Sequence, residues 1–380
     1  MKKYIFALFI FFLPFTVFAD ELIPNSVSGY LIEANTGKVL FSKEADKEVS
    51  IASMTKMVAQ IIILEEIKKN NIKWSDIVTV SQNASGMGGS QIYIETGEKI
   101  SVEDLMKGIS VASGNDATVA MAEYISGSEE KFVEKMNNVV KKLGLKHTHF
   151  VNCTGLDEDG HYSSAHDMAM IARELVVNYP EIIRFSSIYD DYLREKTSNK
   201  FWLVNTNKLI NQYDGADGLK TGHTDAAGYC LAATAKRNDL RLIAIVLGES
   251  DSKVRNSETM ALLDYGFNNV KLKKLKRKGD FIKRIPLEKA NAKYIDIIMS
   301  DDLNVIENID NNNKYKFDID VDRINFPVKK GDYVGKLNVL KDEKNITSIA
   351  LVSSSDVDKL SFFSLFTVNV KNYLLDCYNF

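Results

Sequence analysis

The sequence predicts an α+β protein, an antiparallel sheet packed by helices, followed by a small all-β sandwich domain and a C-terminal amphipathic helix. The chain has 380 residues, 45% hydrophobic and 26% charged, which is enough for more than one core. Strand-like patterns at both ends of its first part enclose a stretch of helical periodicity. Composition changes at Lys271, where short alternating segments begin. The predicted segments are a leader at 1–19, a first domain at 20–268, a sandwich at 269–355 and an amphipathic helix at 356–380.

The first nineteen residues have the pattern of a signal peptide. Two lysines at positions 2 and 3 precede an apolar run, and Val17-Phe18-Ala19 resembles a small-residue cleavage site. No cysteine follows that site, so a lipoprotein is not predicted, and an uncleaved anchor is the alternative. We therefore expect an exported protein, peripheral on the periplasmic (extracytoplasmic) face of the cytoplasmic membrane.

Charge and cysteine content exclude several classes of protein. The formal charge is −3, and loss of the leader lysines would make it two units more negative, so no nucleic-acid partner is expected. Cys153, Cys230 and Cys377 are odd in number and lack C-x-x-C spacing. We predict no disulfide framework, no metal and no cofactor. A bridge between Cys153 and Cys230 stays open.

Hairpins are expected at both ends of the first domain. Apolar runs within 29–41 flank the turn residues Asn35-Thr36-Gly37, and runs at 229–235 and 240–247 flank a second turn. A proline at 180 ends the last central helix. Helical periodicity is predicted at 53–67, 102–109, 116–125, 130–142, 165–178 and 256–263.

The second domain begins with a basic run. Eight of the fourteen residues from 271 to 284 are Lys or Arg, a pattern typical of a solvated strand face. Contact with anionic wall polymer or lipid head groups is the alternative. Alternating strands are predicted at 295–299, 315–319 and 333–340.

The aromatic tail has one apolar side at helical spacing. It is too short to span a bilayer and favours an interfacial helix on the inner-membrane surface, with docking on the β-domain as the alternative. The residues on that side are Phe362, Phe366, Val370, Tyr373, Leu374 and Cys377.

The first motif that carries chemistry is Ser53-Met54-Thr55-Lys56, at the start of a predicted helix. Positions three apart share a helix face, so the Ser53 hydroxyl and the Lys56 amine can touch. A lysine accepts the serine proton only when neutral, which requires its pKa to fall by roughly three units, about 4 kcal/mol. Burial and a nearby cation would lower it. The same S-x-x-K spacing recurs at 128–131 and 250–253, to which we assign no role.

Two further motifs complete a constellation. Ser113-Gly114-Asn115 precedes a helix and offers a hydroxyl and an amide, although Ser81-Gln82-Asn83 has the same pattern. Lys220-Thr221-Gly222-His223-Thr224 enters a strand, where Lys220 would lower the pKa of the base and Gly222 would allow close approach of a substrate backbone. In this order and in these local structures, the three motifs resemble those of penicillin-binding proteins and serine β-lactamases.

Further segments extend the resemblance to the low-molecular-mass penicillin-binding proteins of the serine-type D-alanyl-D-alanine carboxypeptidase family. They include S-G-N-D-A at 113–117, D-G-L-K-T-G-H-T at 217–224, the stretch 152–167 and F-P-V-K-K-G-D at 326–332. The resemblance covers the mature chain. It implies a β-lactamase/penicillin-binding-protein-like transpeptidase domain, with the D-Ala-D-Ala end of the peptidoglycan stem peptide as substrate, β-lactam antibiotics as covalent ligands, and a role in cell wall biogenesis and shape.

The resemblance also implies residue roles. Ser53 attacks the penultimate carbonyl with Lys56 as base, and Ser113 relays a proton to the leaving D-Ala. The oxyanion hole is formed by the backbone N–H groups of Ser53 and His223. The implied substrate-binding residues are Asn115, Lys220, Thr221, Gly222, His223, Thr224 and Arg255. Thr206 stands where some family members have Arg, so the role of that position is open, as is that of the glycine-rich loop 86–90.

Rival interpretations share these motifs. A class A β-lactamase needs a carboxylate in an E-x-x-L-N pattern, for which Glu174 is the nearest match. A D,D-endopeptidase uses the same chemistry, and a non-catalytic wall-binding scaffold would have no need of all three motifs. A Ser-His mechanism through His161 or His166 is disfavoured, because Lys56 already stands beside Ser53.

Overall fold

The computed structural model describes residues 22–195, 197–311 and 313–360. The chain divides into two compact units, Met1–Asn268 and Asn269–Phe380. The predicted leader and the aromatic face of the predicted C-terminal helix lie outside the described residues. Within the described ranges, no helix combines the length and apolar character needed to cross a membrane.

The first unit alternates short strands and helices between two long strand regions. Its elements from the N-terminus are β1 (Ser28–Glu33), β2 (Val39–Lys43), α1 (Lys56–Lys68), β3 (Ile77–Thr79), α2 (Gln82–Ser85), β4 (Lys99–Ser101), α3 (Val102–Val111), α4 (Asn115–Ser126), α5 (Glu129–Lys142) and α6 (Ala165–Asn178). They continue with α7 (Ile183–Ser186), β5 (Asp190–Leu193), β6 (Phe201–Val204), α8 (Leu209–Gln212), β7 (Ala216–Thr224), β8 (Gly228–Arg237), β9 (Leu240–Glu249) and α9 (Ser252–Asn269).

A five-stranded antiparallel sheet, in the order β2-β1-β9-β8-β7, joins the two ends of this unit. The two predicted hairpins are confirmed, and Leu31 pairs with Phe41 in the first. Strand β9 is buried on both faces, because α6 packs on one face and α9 on the other. Helix α9 is longer than the predicted 256–263. A Cβ on Gly266 would lie 2.5 Å from Leu242 Cδ1, so this glycine lets the helix approach the sheet closely instead of ending it.

Serine side chains cap several helices and account for the look-alike motifs. Ser128 Oγ accepts from Lys131 N at the start of α5, and Ser81 Oγ accepts from Ala84 N at the start of α2. A cap satisfies a backbone donor that the first helical turn leaves without a partner. These matches to S-x-x-K and S-x-N are therefore helix starts.

The second unit is a small β-sandwich, as predicted. Its strands are β10 (Val270–Lys276), β11 (Phe281–Pro286), β12 (Tyr294–Met299), β13 (Leu303–Asn308), β14 (Lys316–Val321), β15 (Tyr333–Lys341) and β16 (Lys344–Ser353). They form a two-stranded sheet, β10-β13, and a five-stranded sheet, β11-β12-β16-β15-β14. Alternate residues of β12 point into the core with Leu303 of β13. The predicted start of the C-terminal helix at 356 is wrong, because residues 356–360 are extended and Val357 is bridged to Val328.

Three of the eight basic residues in the run 271–284 are paired with carboxylates. Lys273 lies 3.3 Å from Glu307, Lys274 lies 3.0 Å from Asp302, and Arg284 contacts Asp296 at 2.6 Å. These pairs place acidic neighbours beside part of the run and favour a solvated strand face over an anion-binding patch.

Candidate active site

Ser53 lies on a strained turn held from two sides by glycines. Residues Ala52–Thr55 form one turn of 3₁₀ helix that leads directly into α1, so the predicted helix start at Ser53 is corrected to Lys56. Ala52 has a φ of +48°, in the left-handed region that non-glycine residues rarely adopt. A Cβ on Gly155 would lie 2.0 Å from Ala52 O, and one on Gly222 would lie 2.4 Å from Ile51 O. Both neighbouring segments therefore need glycine to pack against the turn.

The same turn places Lys56 against Ser53. In a 3₁₀ helix, side chains three residues apart lie directly over one another. Lys56 Nζ is 2.7 Å from Ser53 Oγ and donates to Thr154 O at 2.6 Å. Its side chain is fully buried, and this burial lowers the pKa of Lys56 to about 7, while Cys153 and Asp116 act in the opposite direction. A pKa near 7 leaves a substantial share of the Lys56 amines neutral near neutral pH, as a base for Ser53 requires.

Lys220, on strand β7, is the second buried amine of the site. Its Nζ donates to Thr221 O at 2.9 Å. Burial, followed by repulsion from Lys56 and Arg255, holds the pKa of Lys220 well below its ordinary value. The sequence suggested that Lys220 would lower the pKa of Lys56, but burial is the main cause there. Two amines in one buried site resist carrying charge together.

The loop between α3 and α4 presents Ser113, and the first residue of α4 is Asn115. Ser113 has a φ of +63°, a strained conformation of the kind that functional sites retain. Ser113 Oγ and Asn115 Oδ1 are buried and have no hydrogen-bond partner among the described residues. Because buried polar atoms are nearly always paired, this arrangement suits two groups that meet a ligand.

The glycine-rich loop, whose role the sequence left open, supports Asn115. Asn115 Nδ2 donates to Gly88 O, and Asn115 N donates to Ser90 O, both at 2.7 Å. A Cβ on Gly89 would lie 2.7 Å from the same Nδ2, so a side chain there would displace the amide. The loop therefore sets the orientation in which Asn115 Oδ1 is left without a partner.

Thr206 connects the second and third motifs. Its backbone N–H donates to Val111 O, at the end of α3, at 3.2 Å. Its hydroxyl accepts from Thr221 Oγ1, on β7, at 2.7 Å. A position for which the sequence suggested no role thus joins the serine-containing loop to the lysine-containing strand.

The remaining residues expected to bind substrate have other partners. Thr224 Oγ1 donates to Asp157 at 2.8 Å, and the exposed His223 ring stacks on Tyr229 at 4.0 Å. Arg255, in the first turn of α9, is 5% exposed and bonds Asn256 Oδ1 at 2.9 Å. Arg255 therefore bonds its neighbour in the chain and not another motif residue, although its charge helps to lower the pKa of Lys220.

Several contributors were missed by sequence reasoning. Asp116 is buried and accepts from Ile92 N at 3.0 Å and Ile94 N at 3.3 Å, which anchors the segment leading from the glycine-rich loop. Its place directly after the S-x-N motif was the available signal. The Thr154 carbonyl that bonds Lys56 has no sequence signal, because any residue supplies one.

The rival sites receive little support from the geometry. Glu174 accepts from Asn178 Nδ2 at 2.6 Å on the surface of α6, an ordinary pair four residues apart on a helix. His166 bonds Asp167, and His161 bonds Thr55 rather than Ser53. Cys153 and Cys230 are both buried free thiols, so they are not bridged. Among the described residues, no cluster of three or more His, Cys, Asp or Glu side chains is placed to hold a metal ion.

A sheet-and-helix fold that brings Ser-x-x-Lys, Ser-x-Asn and Lys-Thr-Gly segments together defines the class of serine acyl-transferring enzymes with a lysine base. The sequence profile of the D-alanyl-D-alanine carboxypeptidase family matches residues 19–251, and that of the penicillin-binding protein 5 C-terminal domain matches residues 271–359. The chain belongs to the D-alanyl-D-alanine carboxypeptidase family, among its low-molecular-mass penicillin-binding proteins, and is a serine hydrolase.

Individual proteins of this family are similar to this chain over most of their length. The chain is 44% identical to D-alanyl-D-alanine carboxypeptidase DacF of Bacillus subtilis, over 91% of this chain and 89% of the relative. It is 34% identical to DacA of Escherichia coli K12, over 89% and 85%. The crystal structure of penicillin binding protein 5 from Haemophilus influenzae is similar with a TM-score of 0.75 at 32% identity, over 88% of this chain and 98% of that one.

Proposed function

We propose that this carboxypeptidase is exported and removes the terminal D-Ala from peptidoglycan stem pentapeptides through an acyl-enzyme on Ser53. The observation that carries the proposal is the 2.7 Å contact between Ser53 Oγ and the buried Lys56 amine, whose pKa is lowered to about 7. A neutral amine at this distance can take the hydroxyl proton as the nucleophile attacks.

The proposed reaction has two halves. Ser53 Oγ forms a bond to the penultimate D-Ala carbonyl carbon while Lys56 takes its proton, and the backbone N–H groups of Ser53 and His223 stabilise the oxyanion. The C–N bond then breaks, and the leaving D-Ala amine receives a proton through Ser113. Water hydrolyses the ester and regenerates Ser53. A β-lactam would enter the same first half and leave a slowly hydrolysed acyl-enzyme.

The proposed substrate contacts are made by polar groups near Ser53 and by strand β7. Asn115 Oδ1 is an acceptor without a partner, suited to a peptide N–H of the acyl side. Gly222 has no side chain to obstruct a peptide laid along β7. The Thr206 hydroxyl accepts from Thr221 and so keeps its own proton to donate to the terminal carboxylate. Arg255 would reach that carboxylate only after leaving Asn256, so its role stays a prediction.

The activity assay compares three substrates with one enzyme. We expect D-Ala release from a stem pentapeptide, slow or no turnover of a β-lactam after labelling, and little cleavage of a cross-linked dimer. Ser53→Ala should abolish release and labelling. Ser128→Ala, with the same spacing to a lysine, is the matched control and should retain both. Rapid lactam turnover would favour a β-lactamase, and preferential dimer cleavage an endopeptidase.

Attachment to the outer face of the cytoplasmic membrane is also proposed, through the residues beyond 360. The amphipathic pattern of that segment supports it. Because residues 356–360 pair with the β-domain, the informative deletion begins after Leu360. The truncated protein should lose binding to phospholipid vesicles and keep its activity on soluble pentapeptide. Equal vesicle binding by both forms would refute the membrane proposal.

A further inference from the structure

His161 is a buried histidine next to the active site that the proposed mechanism does not use. It lies in the loop that connects α5 to α6, with 6% of its surface exposed. Its Nε2 is 2.7 Å from Thr55 Oγ1, and its Nδ1 accepts from Val151 N at 3.3 Å. The ring also packs against Phe150, with the centroids 5.5 Å apart.

Two independent contacts define one tautomer for His161. The backbone N–H of Val151 can only donate, so Nδ1 must be the unprotonated nitrogen. The single Thr55 hydroxyl proton is used on Ala52 O, 2.8 Å away, so the hydroxyl must accept from His161. Both requirements place the ring proton on Nε2. The donor chain therefore runs from His161 through Thr55 to the Ala52 carbonyl.

That carbonyl belongs to the strained residue immediately before Ser53. Ala52 holds its left-handed conformation within the turn that Gly155 contacts from outside. Strained backbone persists only where its surroundings over-determine it. The hydrogen bond from Thr55 is a direct restraint on this peptide, and His161 orients the hydroxyl that makes it.

We propose that His161 is a positioning residue that acts through Thr55 to hold the Ala52–Ser53 peptide, and with it the nucleophile, in reactive geometry. This inference rests on Ser53 being the nucleophile. It assigns a function to the third residue of the Ser-x-x-Lys motif, which is a threonine here, and to a histidine more than 100 positions away.

The charge state of His161 agrees with this role. Burial lowers the pKa of His161 to about 4, with smaller opposing influences from Glu158 and Asp157. His161 is therefore neutral near pH 7, and protonation at Nδ1 would set two N–H groups against each other at Val151. It orients a hydroxyl and removes no proton.

The test measures acylation by fluorescent penicillin in stopped flow, together with kcat, KM and thermal midpoint. His161→Leu should slow acylation about 10- to 100-fold, with KM within about threefold of wild type, because misplacement of a nucleophile affects the rate more than binding. His161→Gln keeps a side-chain N–H near the Nε2 position and should recover most of the rate. His147→Gln, at a half-exposed surface histidine, is the control.

A double-mutant cycle identifies the route. Thr55→Val removes the hydroxyl that bonds both His161 and the Ala52 carbonyl, and it should slow acylation by a similar factor. The double variant Thr55→Val/His161→Leu should then be little slower than either single variant. If His161→Leu fails to fold, His161→Phe, which keeps an aromatic ring beside Phe150 but lacks the N–H donor, replaces it in the cycle.

The outcomes separate this inference from the proposed function. Penicillin labelling of Ser53→Ala would remove the nucleophile assignment on which both depend. Absence of labelling in Ser53→Ala, with folded His161→Leu acylating within about twofold of wild type, would overturn only the role of His161. Multiplicative losses in the double variant, or no recovery in His161→Gln, would also overturn it.

Discussion

The segments 53–56 and 128–131 share the S-x-x-K spacing but have different structures. Ser53 and Lys56 lie on a 3₁₀ turn, with their side chains in contact and the amine fully buried. Ser128 accepts a backbone hydrogen bond as the cap of α5, and Lys131 extends into solvent. Two residues at identical spacing form a buried hydroxyl–amine contact, the proposed nucleophile and base, in one place and an ordinary helix start in the other.

The difference lies in what surrounds each pair. The Ser53 turn is enclosed by Gly155, Gly222 and the Thr154 carbonyl, all remote in sequence. Ser128 is only partly buried, and its hydroxyl caps α5. Spacing permits contact between a serine and a lysine, whereas burial changes the pKa of the lysine and so makes the contact reactive.

The largest expected effect comes from the two serines. Ser53→Ala should reduce D-Ala release at least about 10³-fold, because the covalent route is lost. Ser128→Ala should leave activity within about twofold and lower stability by about 1 kcal/mol through the lost cap. Comparable activity losses in the two variants would break the comparison.

Substitution of the two lysines, Lys56 and Lys131, should also have very different effects on the acylation rate. Lys56→Met should lower acylation about 10²- to 10⁴-fold, since the general base is removed. Its thermal midpoint should not fall, because an apolar side chain of similar volume replaces a buried amine. Lys131→Met should change neither quantity measurably. A large loss of stability in Lys56→Met would indicate that the amine is structural.

The pH profile tests whether burial sets the reactivity. Because Lys56 acts as a base only when neutral and its pKa is about 7, penicillin acylation should rise with pH through about 7 and then level off. The rate at pH 6 should be about a tenth of the plateau. A profile that is flat from pH 6 to 8 would contradict the assignment of Lys56.

Burial should also shift the pKa of a carboxyl group away from the active site, in the opposite direction from that of a lysine. Glu249 is buried at the end of β9, and burial together with hydrogen bonding to Glu258 raises its pKa to about 8. Glu258 is held by Asn25 Nδ2 at 2.7 Å, and its pKa is lowered by hydrogen bonds from its neighbours.

The contribution of Glu249 to the free energy of unfolding should therefore fall with rising pH between about 4.5 and 8. In that range the folded protein keeps a proton on Glu249 that the unfolded chain has released. Glu249→Gln, which supplies a permanent donor to Glu258, should remove this part of the decline in thermal midpoint between pH 5 and 8. Equal declines in wild type and variant would show that the pair does not titrate as described.

Much of the fold was predictable because its signals are local. Apolar runs around turn residues indicated both hairpins, and periodicity identified α6 to the residue. The hairpin β5–β6 was missed because its strands have four residues each, too short for a periodic signal. The end of α9 was missed because Gly266 normally weakens a helix, and only its packing on Leu242 explains its presence.

The sequence by itself determined which residue types are available for chemistry, their order along the chain, and the pKa change that Lys56 requires. Only the tertiary structure decided which of three S-x-x-K segments meets that requirement. Desolvation of an amine depends on groups far away in the chain, here Thr154, Gly155 and Gly222, which converge on Ser53 only after folding. The chain from His161 through Thr55 has the same origin, since its hydrogen bonds join segments that no local pattern connects.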